Sequence, residues 1–284
     1  MKDITVIMPV KNDVKNVRTA INCVLNQTVK PSEVIVIDGA SSDGTVESIK
    51  NLPIKIIIEP RPGGSLARNI GIKKSKGNIL FFTDSDCEIP KNCIKEHLLA
   101  LKKYDVVMGK IVMHSECKNS IVAKSLEYGL LPYFDFPFLE DNIKILPFWD
   151  VYTPNLSMKK EVIKNIGMMN EEFKLVGSED TEFGYKISRK YIIGYAPKAI
   201  VYHKHKKGFK SALKRAVIAG RQSVFFKIKT SQENRRGIIL FRLKKLFKFK
   251  NLSKSDKIGI LILSGIFLLG FLYGYLTYRK LYNI

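Results

Sequence analysis

The feature that most constrains this chain is a series of four short apolar runs separated by segments of helical spacing. The runs are Ile4–Val10, Glu33–Asp38, Ile54–Glu59 and Asn78–Thr83. Between the first two, Val14, Val17, Ala20, Ile21, Val24 and Leu25 recur at helical intervals across Asp13–Asn26. Cap-type residues open a second helical segment, Ser41–Lys50, and Pro62-Gly63-Gly64 precedes a third, Ala67–Lys76. Continuous apolar runs of this length suit strands buried on both faces, and their alternation with helices predicts an α/β fold with a mostly parallel sheet. Ligands in such sheets bind beyond the carboxyl ends of the strands. The polar groups that follow the strands, namely Asn12, Asp38, Arg61 with Gly63-Gly64, and Asp84 with Asp86, should therefore meet along one edge.

Farther on, helices are expected over Asn92–Lys103, Glu161–Ile166 and Glu179–Lys190, and strands over Val106–Lys110, Asn155–Met158 and Ala199–His203. Residues 114–150, rich in aromatics and proline, receive no assignment.

The fourth run ends in Phe81-Phe82-Thr83-Asp84-Ser85-Asp86. Side chains two apart in extended backbone project to one face. Two carboxylates so placed repel each other unless a cation lies between them. A hard divalent ion, Mg²⁺ or Mn²⁺, suits such oxygen ligands and brings pyrophosphate with it.

Charge is spread unevenly. Residues 1–200 carry a balance of +4, whereas residues 201–284 hold 20 basic and 2 acidic side chains. The second figure points to an anionic surface. Ile258–Tyr278 contains no charge in 21 residues, enough to cross a bilayer, with Lys254 and Lys257 before it and Arg279 and Lys280 after it. Tyr273, Tyr275 and Tyr278 gather at one end as interfacial aromatics do. The basic run Arg242, Lys244, Lys245, Lys248 and Lys250 favours anionic headgroups and places the N-terminal domain on the cytosolic side of a single C-terminal span. Lys210–Phe226 has apolar spacing among basic residues, as a surface-bound helix would. Residues 1–20 carry polar positions throughout, unlike a secretory signal. Cys23, Cys87, Cys93 and Cys117 form no C-x-x-C pair and read as reduced, apolar positions.

Taken together, Ile7-Met8-Pro9-Val10-Lys11-Asn12, Gln27-Thr28, Ile37–Thr45, Ala67-Arg68-Asn69-x-Gly71, Gly77 and Asp84-x-Asp86 resemble, in order and spacing, family 2 glycosyltransferases of the GT-A fold. The resemblance covers roughly residues 3–205. It implies a mixed, mostly parallel sheet flanked by helices. It also implies an inverting enzyme that takes a sugar from a nucleotide-diphosphate donor with Mn²⁺ or Mg²⁺. On this basis Asp38 contacts the base and Arg68 approaches the base or phosphates. Pro9, Asn12, Gly64 and Ser85 belong to the donor side, Asp84 faces ribose and the metal's water shell, and Asp86 ligates the metal. Glu179-Asp180 resembles the family's Glu-Asp segment, with Asp180 as general base. Val201-Tyr202-His203-Lys204-His205 resembles the segment that supplies a third metal contact, His203 before His205. Trp149 and Tyr152, next to Pro154-Asn155, are candidates to stack on an acceptor sugar. Gly39 stands where relatives often have a second Asp. The Gln-x-x-Arg-Trp segment of processive synthases is absent, so one sugar is expected per encounter.

The expected organisation is a catalytic domain over 1–205, divided into a nucleotide-binding half (1–110) and an acceptor half (111–205), then a basic membrane-proximal region (206–257) and a transmembrane helix (258–278). The expected partners are the nucleotide-sugar, a lipid-linked or glycan acceptor and an anionic membrane surface. A nucleotidyltransferase would need a Gly-rich basic loop after the first strand, where Pro9-Val10-Lys11-Asn12-Asp13 stands instead. An inactive scaffold or anionic-polymer binder would have no use for Asp84, Asp86 and Asp180. Nucleic-acid binding fits poorly, because the basic residues crowd beside an apolar span.

Overall fold

A computed structural model describes residues 3–128, 144–173, 179–205, 208–230 and 252–281. Two compact units are present: residues 1–112, 141–174 and 179–203 form one, and residues 113–140, 175–178 and 204–284 form the other.

The first unit is built on a sheet. Its elements begin with β1 (Ile4–Val10), α1 (Val17–Leu25), β2 (Glu33–Asp38), α2 (Thr45–Ile49), β3 (Lys55–Ile58), α3 (Gly64–Lys74) and β4 (Ile79–Phe82). They continue with β5 (Cys87–Glu88), α4 (Cys93–Ala100), β6 (Val106–Met113), β7 (Ile145–Leu146), β8 (Leu156–Lys159), α6 (Lys160–Ile166), α7 (Glu179–Ser188) and β9 (Ile193–His203); α5 (Ile121–Tyr128) belongs to the second unit. The strand order is β3-β2-β1-β4-β8-β6-β9-β5, with β7 paired to β9. β1 runs parallel to β2 and to β4, and β2 runs parallel to β3. β8 is antiparallel to β4 and β6, and β5 is antiparallel to β9. The chain steps outward from β1 to β3 and returns to set β4 on β1's other side, which makes the β1/β4 edge a topological switch point.

Ile4, Val6, Met8 and Val10 send one face of β1 into a core shared with Val17, Ala20, Ile21 and Val24 of α1 and with Ile94 of α4. On the other face α3 lies close to the sheet. A Cβ at Gly71 would stand 2.4 Å from Ile7 Cγ2, and one at Gly77 would stand 2.6 Å from the Asp3 carbonyl. These two glycines of the motif therefore permit close approach of backbone and helix.

Several boundaries differ from expectation for local reasons. α1 begins at Val17, after a turn in which Thr45 Oγ1 and Asp43 Oδ2 hold the Asp13 and Val14 N–H groups (2.9 and 3.1 Å). α3 begins at Gly64, straight after the chain turns at Gly63 with φ 140°. β9 takes in Ile193–Lys198 ahead of the expected start, and the two-residue strands β5 and β7 carry too little pattern to be read.

One buried polar chain crosses the core. Asn155 Nδ2 donates to the Lys110 and Ala199 carbonyls (2.9 and 2.8 Å), its Oδ1 lies 2.8 Å from His97 Nε2, and Ser157 Oγ lies 2.8 Å from His97 Nδ1. The amide has no bond left for an acceptor sugar, so Asn155 belongs to the core and not to an acceptor subsite.

In the second unit, α5 packs with two further helices, α8 (Phe209–Thr230) and α9 (Lys254–Leu281). Lys124 of α5 pairs with Asp256 of α9 at 2.5 Å. Lys254–Tyr278 is long enough to cross a membrane, and its most apolar 18-residue window has a mean hydropathy of 2.1. The basic run 242–250 lies outside the described residues.

Burial holds the His97 imidazole neutral by pulling its pKa from 6.5 to about 4, against a smaller opposite pull from Asn155. The unfolded chain binds the extra proton first, so this contribution is complete above pH 6.5 and is lost as pH falls towards 4. Stability should drop by about 3 kcal/mol across that window. His97→Gln should flatten the drop, as read from denaturation followed through Trp149, the sole tryptophan.

Candidate active site

The loops after β1, β2 and β4 are laced together. Asn12, in the left-handed region at φ 51°, donates its N–H to Ser41 Oγ (2.8 Å) and accepts from the Ser42 N–H (2.9 Å). Ser41 in turn donates its N–H and Oγ–H to the two oxygens of Asp38, at 2.8 and 2.6 Å. Ser85 Oγ donates to Asp13 Oδ2 at 2.7 Å, which ties the β4 loop to the β1 loop. Asp38 is fully buried and closes its own turn, while Pro9 stands one residue before the end of β1, paired with Ile37.

Arg68, on the first turns of α3, is the cation at this edge. Its Nη2 donates to Asp84 Oδ1 at 2.7 Å, and the guanidinium is almost entirely buried. Gly64 makes room for it, since a Cβ there would fall 2.8 Å from Arg68 Nη1. Burial lowers the Arg68 pKa, but the charges of Asp84, Asp180 and Glu179 together hold it above its ordinary value. Those causes bring into one neighbourhood residues that lie more than a hundred positions apart.

Burial raises the Asp84 pKa, with Asp86 adding to the rise and Arg68 and His203 opposing it. Burial likewise raises Asp180, opposed by Arg68 and by hydrogen bonds from Thr153. The Thr153 N–H donates to Asp180 Oδ2 and its Oγ1–H to Oδ1, both at 3.1 Å. Glu179 and Asp180 open α7, where carboxylates complement the helix dipole. Residues 174–178, just before α7, lie outside the described residues.

Asp86 projects beside the last residue of β9, with its Oδ1 3.5 Å from His203 Nε2. The two atoms lie close enough together that both would serve one divalent ion. Cys87 Sγ lies 3.8 Å from Asp86 Oδ1, but burial, then the Asp86 and Asp84 charges, push its thiol pKa well up. The carboxylate oxygen and imidazole nitrogen of Asp86 and His203 are donors that Mn²⁺ or Mg²⁺ accepts. The alternation that was to bring His205 to the same face ends with the strand at His203. His205 Nε2 pairs instead with Glu127 Oε2 at 2.6 Å, both side chains being buried.

Trp149 is half-buried on a 3₁₀ turn, edge-on to Phe148 with ring centroids 4.9 Å apart. Tyr152 is buried and packs in the core. Two contributions escaped the sequence reading. Thr153 carries no motif and is found only through its bonds to Asp180. Asn69 was noted as part of a motif, yet its side chain bonds the Met169 N–H and carbonyl (3.0 and 2.9 Å) and thereby fastens α3 to the loop after α6.

Comparison with known proteins decides the family, since the profile of glycosyl transferase family 2 matches residues 5–167, more than half of the chain. The chain belongs to glycosyl transferase family 2. Among similar proteins, glycosyltransferase AglE of Haloferax volcanii is 41% identical over 92 residues, covering 30% of each chain. The poly(ribitol-phosphate) beta-N-acetylglucosaminyltransferase TarP of Staphylococcus aureus is 38% identical over 120 residues, or 39% of this chain and 37% of TarP. These alignments thus span about a third of the relatives' length. The crystal structure of S. aureus TarS 1–349 with UDP-GlcNAc superposes with a TM-score of 0.57 at 18% identity, covering 99% of this chain and 91% of that one. The mixed sheet with flanking helices is accordingly the GT-A fold of family 2.

Because Arg68 is the buried cation shared by the half-buried Asp84 and Asp180, Arg68→Leu should destabilise the first unit by about 3 kcal/mol. Adding Asp84→Asn should recover part of the loss, and denaturation monitored through Trp149 would measure both steps.

Proposed function

We propose that this family 2 protein is a divalent-metal-dependent, inverting glycosyltransferase. It would move one sugar per encounter from a nucleotide-diphosphate donor to a hydroxyl of a lipid-linked or surface-glycan acceptor at a membrane. The observation that carries the reading is the grouping of Arg68, Asp84 and Asp180, with the Asp86–His203 pair on the adjoining strand ends. TarS was crystallised with UDP-GlcNAc and TarP is named for a poly(ribitol-phosphate) acceptor, which supports a nucleotide-sugar and a hydroxyl-bearing surface polymer as the two substrates.

In this reading, the laced loops around Asn12, Asp38 and Ser85 hold the nucleotide, and Arg68 meets negative charge on the donor. Asp86 and His203 hold the ion, whose chemistry is to neutralise the charge that develops on the departing diphosphate. Asp180 accepts the proton of the acceptor hydroxyl while that oxygen attacks the anomeric carbon. Thr153 fixes the Asp180 carboxylate by two bonds and limits how far burial raises its pKa. A base carried on a different element from the metal carboxylates can act from the side opposite the leaving group, as a single inverting displacement requires. The high basic charge of residues 201–284 and the apolar α9 support a membrane-associated site of action.

The test is release of nucleoside diphosphate by detergent-solubilised protein from a panel of nucleotide-sugars with Mn²⁺, Mg²⁺ or chelator. Metal-dependent release from one or two donors is expected. Asp86→Ala should abolish the metal response, and full activity in that variant would refute the metal assignment. Asp180→Asn should lose roughly 10²–10⁴ in turnover while still binding donor. The base works ionised, so the rate should fall on acidification through a pKa above the ordinary 3.8. Thr153→Val removes a bond to the charged form and should move that acid limb to still higher pH, while Thr153→Ser should restore it.

A further inference from the structure

Helices α8 and α9 run side by side in the same direction. Phe209 meets Phe267 with ring centroids 5.9 Å apart, Leu213 lies over Gly270, Val217 over Gly274, and Gly220 against Phe271 and Tyr275. The contact is close: a Cβ at Gly274 would fall 2.0 Å from the Val217 carbonyl oxygen. α8 turns Ala212, Ala216 and Gly220 inward and leaves Lys210, Lys214 and Arg221 exposed. α9 buries Ile260, Ser264, Phe267, Gly270 and Gly274. Its opposite side presents an exposed stripe of Ile258, Ile262, Ile266, Leu269, Tyr273 and Leu276.

Neither of two simple readings of α9 suits this arrangement. A helix on the surface of a soluble protein carries polar residues on its outer face, and a continuous apolar stripe there marks an interaction surface. A helix that crosses a bilayer alone has lipid all round, yet α8 covers one side of α9 from Phe267 to Tyr275, the centre and far end of the apolar run. Crossing in this packing would put Lys210, Lys214 and Arg221 at hydrocarbon depth, where exposed charges are strongly disfavoured. Crossing without α8 would break the glycine-lined contact.

We propose that α9 lies along the membrane surface, paired with α8, and inserts its exposed stripe at the headgroup–acyl boundary of an anionic bilayer without passing through it. The inference rests on the membrane association proposed above. An anionic lipid surface is the occupant that complements the chain, because the segment that holds α8 and α9, residues 201–284, carries a net +18. Tyr273, within the stripe, has the amphipathic ring that favours this depth.

Topology of the full chain on vesicles tests it. Ser253→Cys and Asn283→Cys, one at each end of α9, would be probed with a membrane-impermeant maleimide after the protein binds phosphatidylcholine vesicles containing phosphatidylglycerol. Labelling of both positions from outside is expected, with binding weakened by high salt and reduced at least tenfold by Leu269→Glu. Labelling of Ser253→Cys alone, with Asn283→Cys protected until the vesicles are permeabilised, would establish a crossing helix and overturn the proposal while leaving membrane association intact. No sedimentation with anionic vesicles would overturn both readings.

Discussion

Charge balance around Arg68 is the constraint on which the site depends. A guanidinium at 6% exposure stands close to Asp84 and within electrostatic reach of Asp180 and Glu179. Half-buried carboxylates at such spacing would be pushed towards the protonated form without a shared cation. Arginine answers this better than lysine would, because its planar fork can serve several acceptors and stays charged when buried. The fold prepares the place: Gly64 clears the volume for the fork, Gly71 sets α3 close to β1, and the β1/β4 reversal brings Asp84 to the same edge.

The parallel half of the sheet was legible because buried parallel strands leave no polar alternation. Ile4–Val10 and Glu33–Asp38 have the same limits in the sequence and in the structure. Motif spacing likewise carried Arg68, Asp84 and Asp86 to one edge. What remained hidden was set by partners far along the chain. Nothing near Thr153 announces that it will hold a carboxylate 27 residues later. Asn155, next to the candidate stacking residues in sequence, answers the needs of His97 and of the Lys110 and Ala199 carbonyls. The i, i+2 rule does not extend to His205, because it holds only while the strand continues and β9 ends at His203.

The C-terminal helices show a related limit of one-dimensional reading. Hydropathy averages over the whole circumference of a helix, so α9 scores as a membrane span however its faces are used. Contacts separate those faces. Gly270 and Gly274 are taken up by α8, whereas Leu269 and Tyr273 are left outside. The same composition can therefore serve a helix through a bilayer or one lying upon it, and the neighbour decides.

The sheet's outer edge has a bearing on self-association. β3 ends the sheet with four residues, with Pro53 and Pro60 close on either side and the exposed Lys55 at its start. A foreign strand seeking backbone partners there would find a ladder only a few residues long, with proline and a cation at its margins, all features that discourage edge-to-edge pairing. Copies of this chain crowded together would thus meet, at β3, an edge that terminates itself, and the largely buried strands β2 and β1 behind that edge are shielded from intermolecular β-assembly.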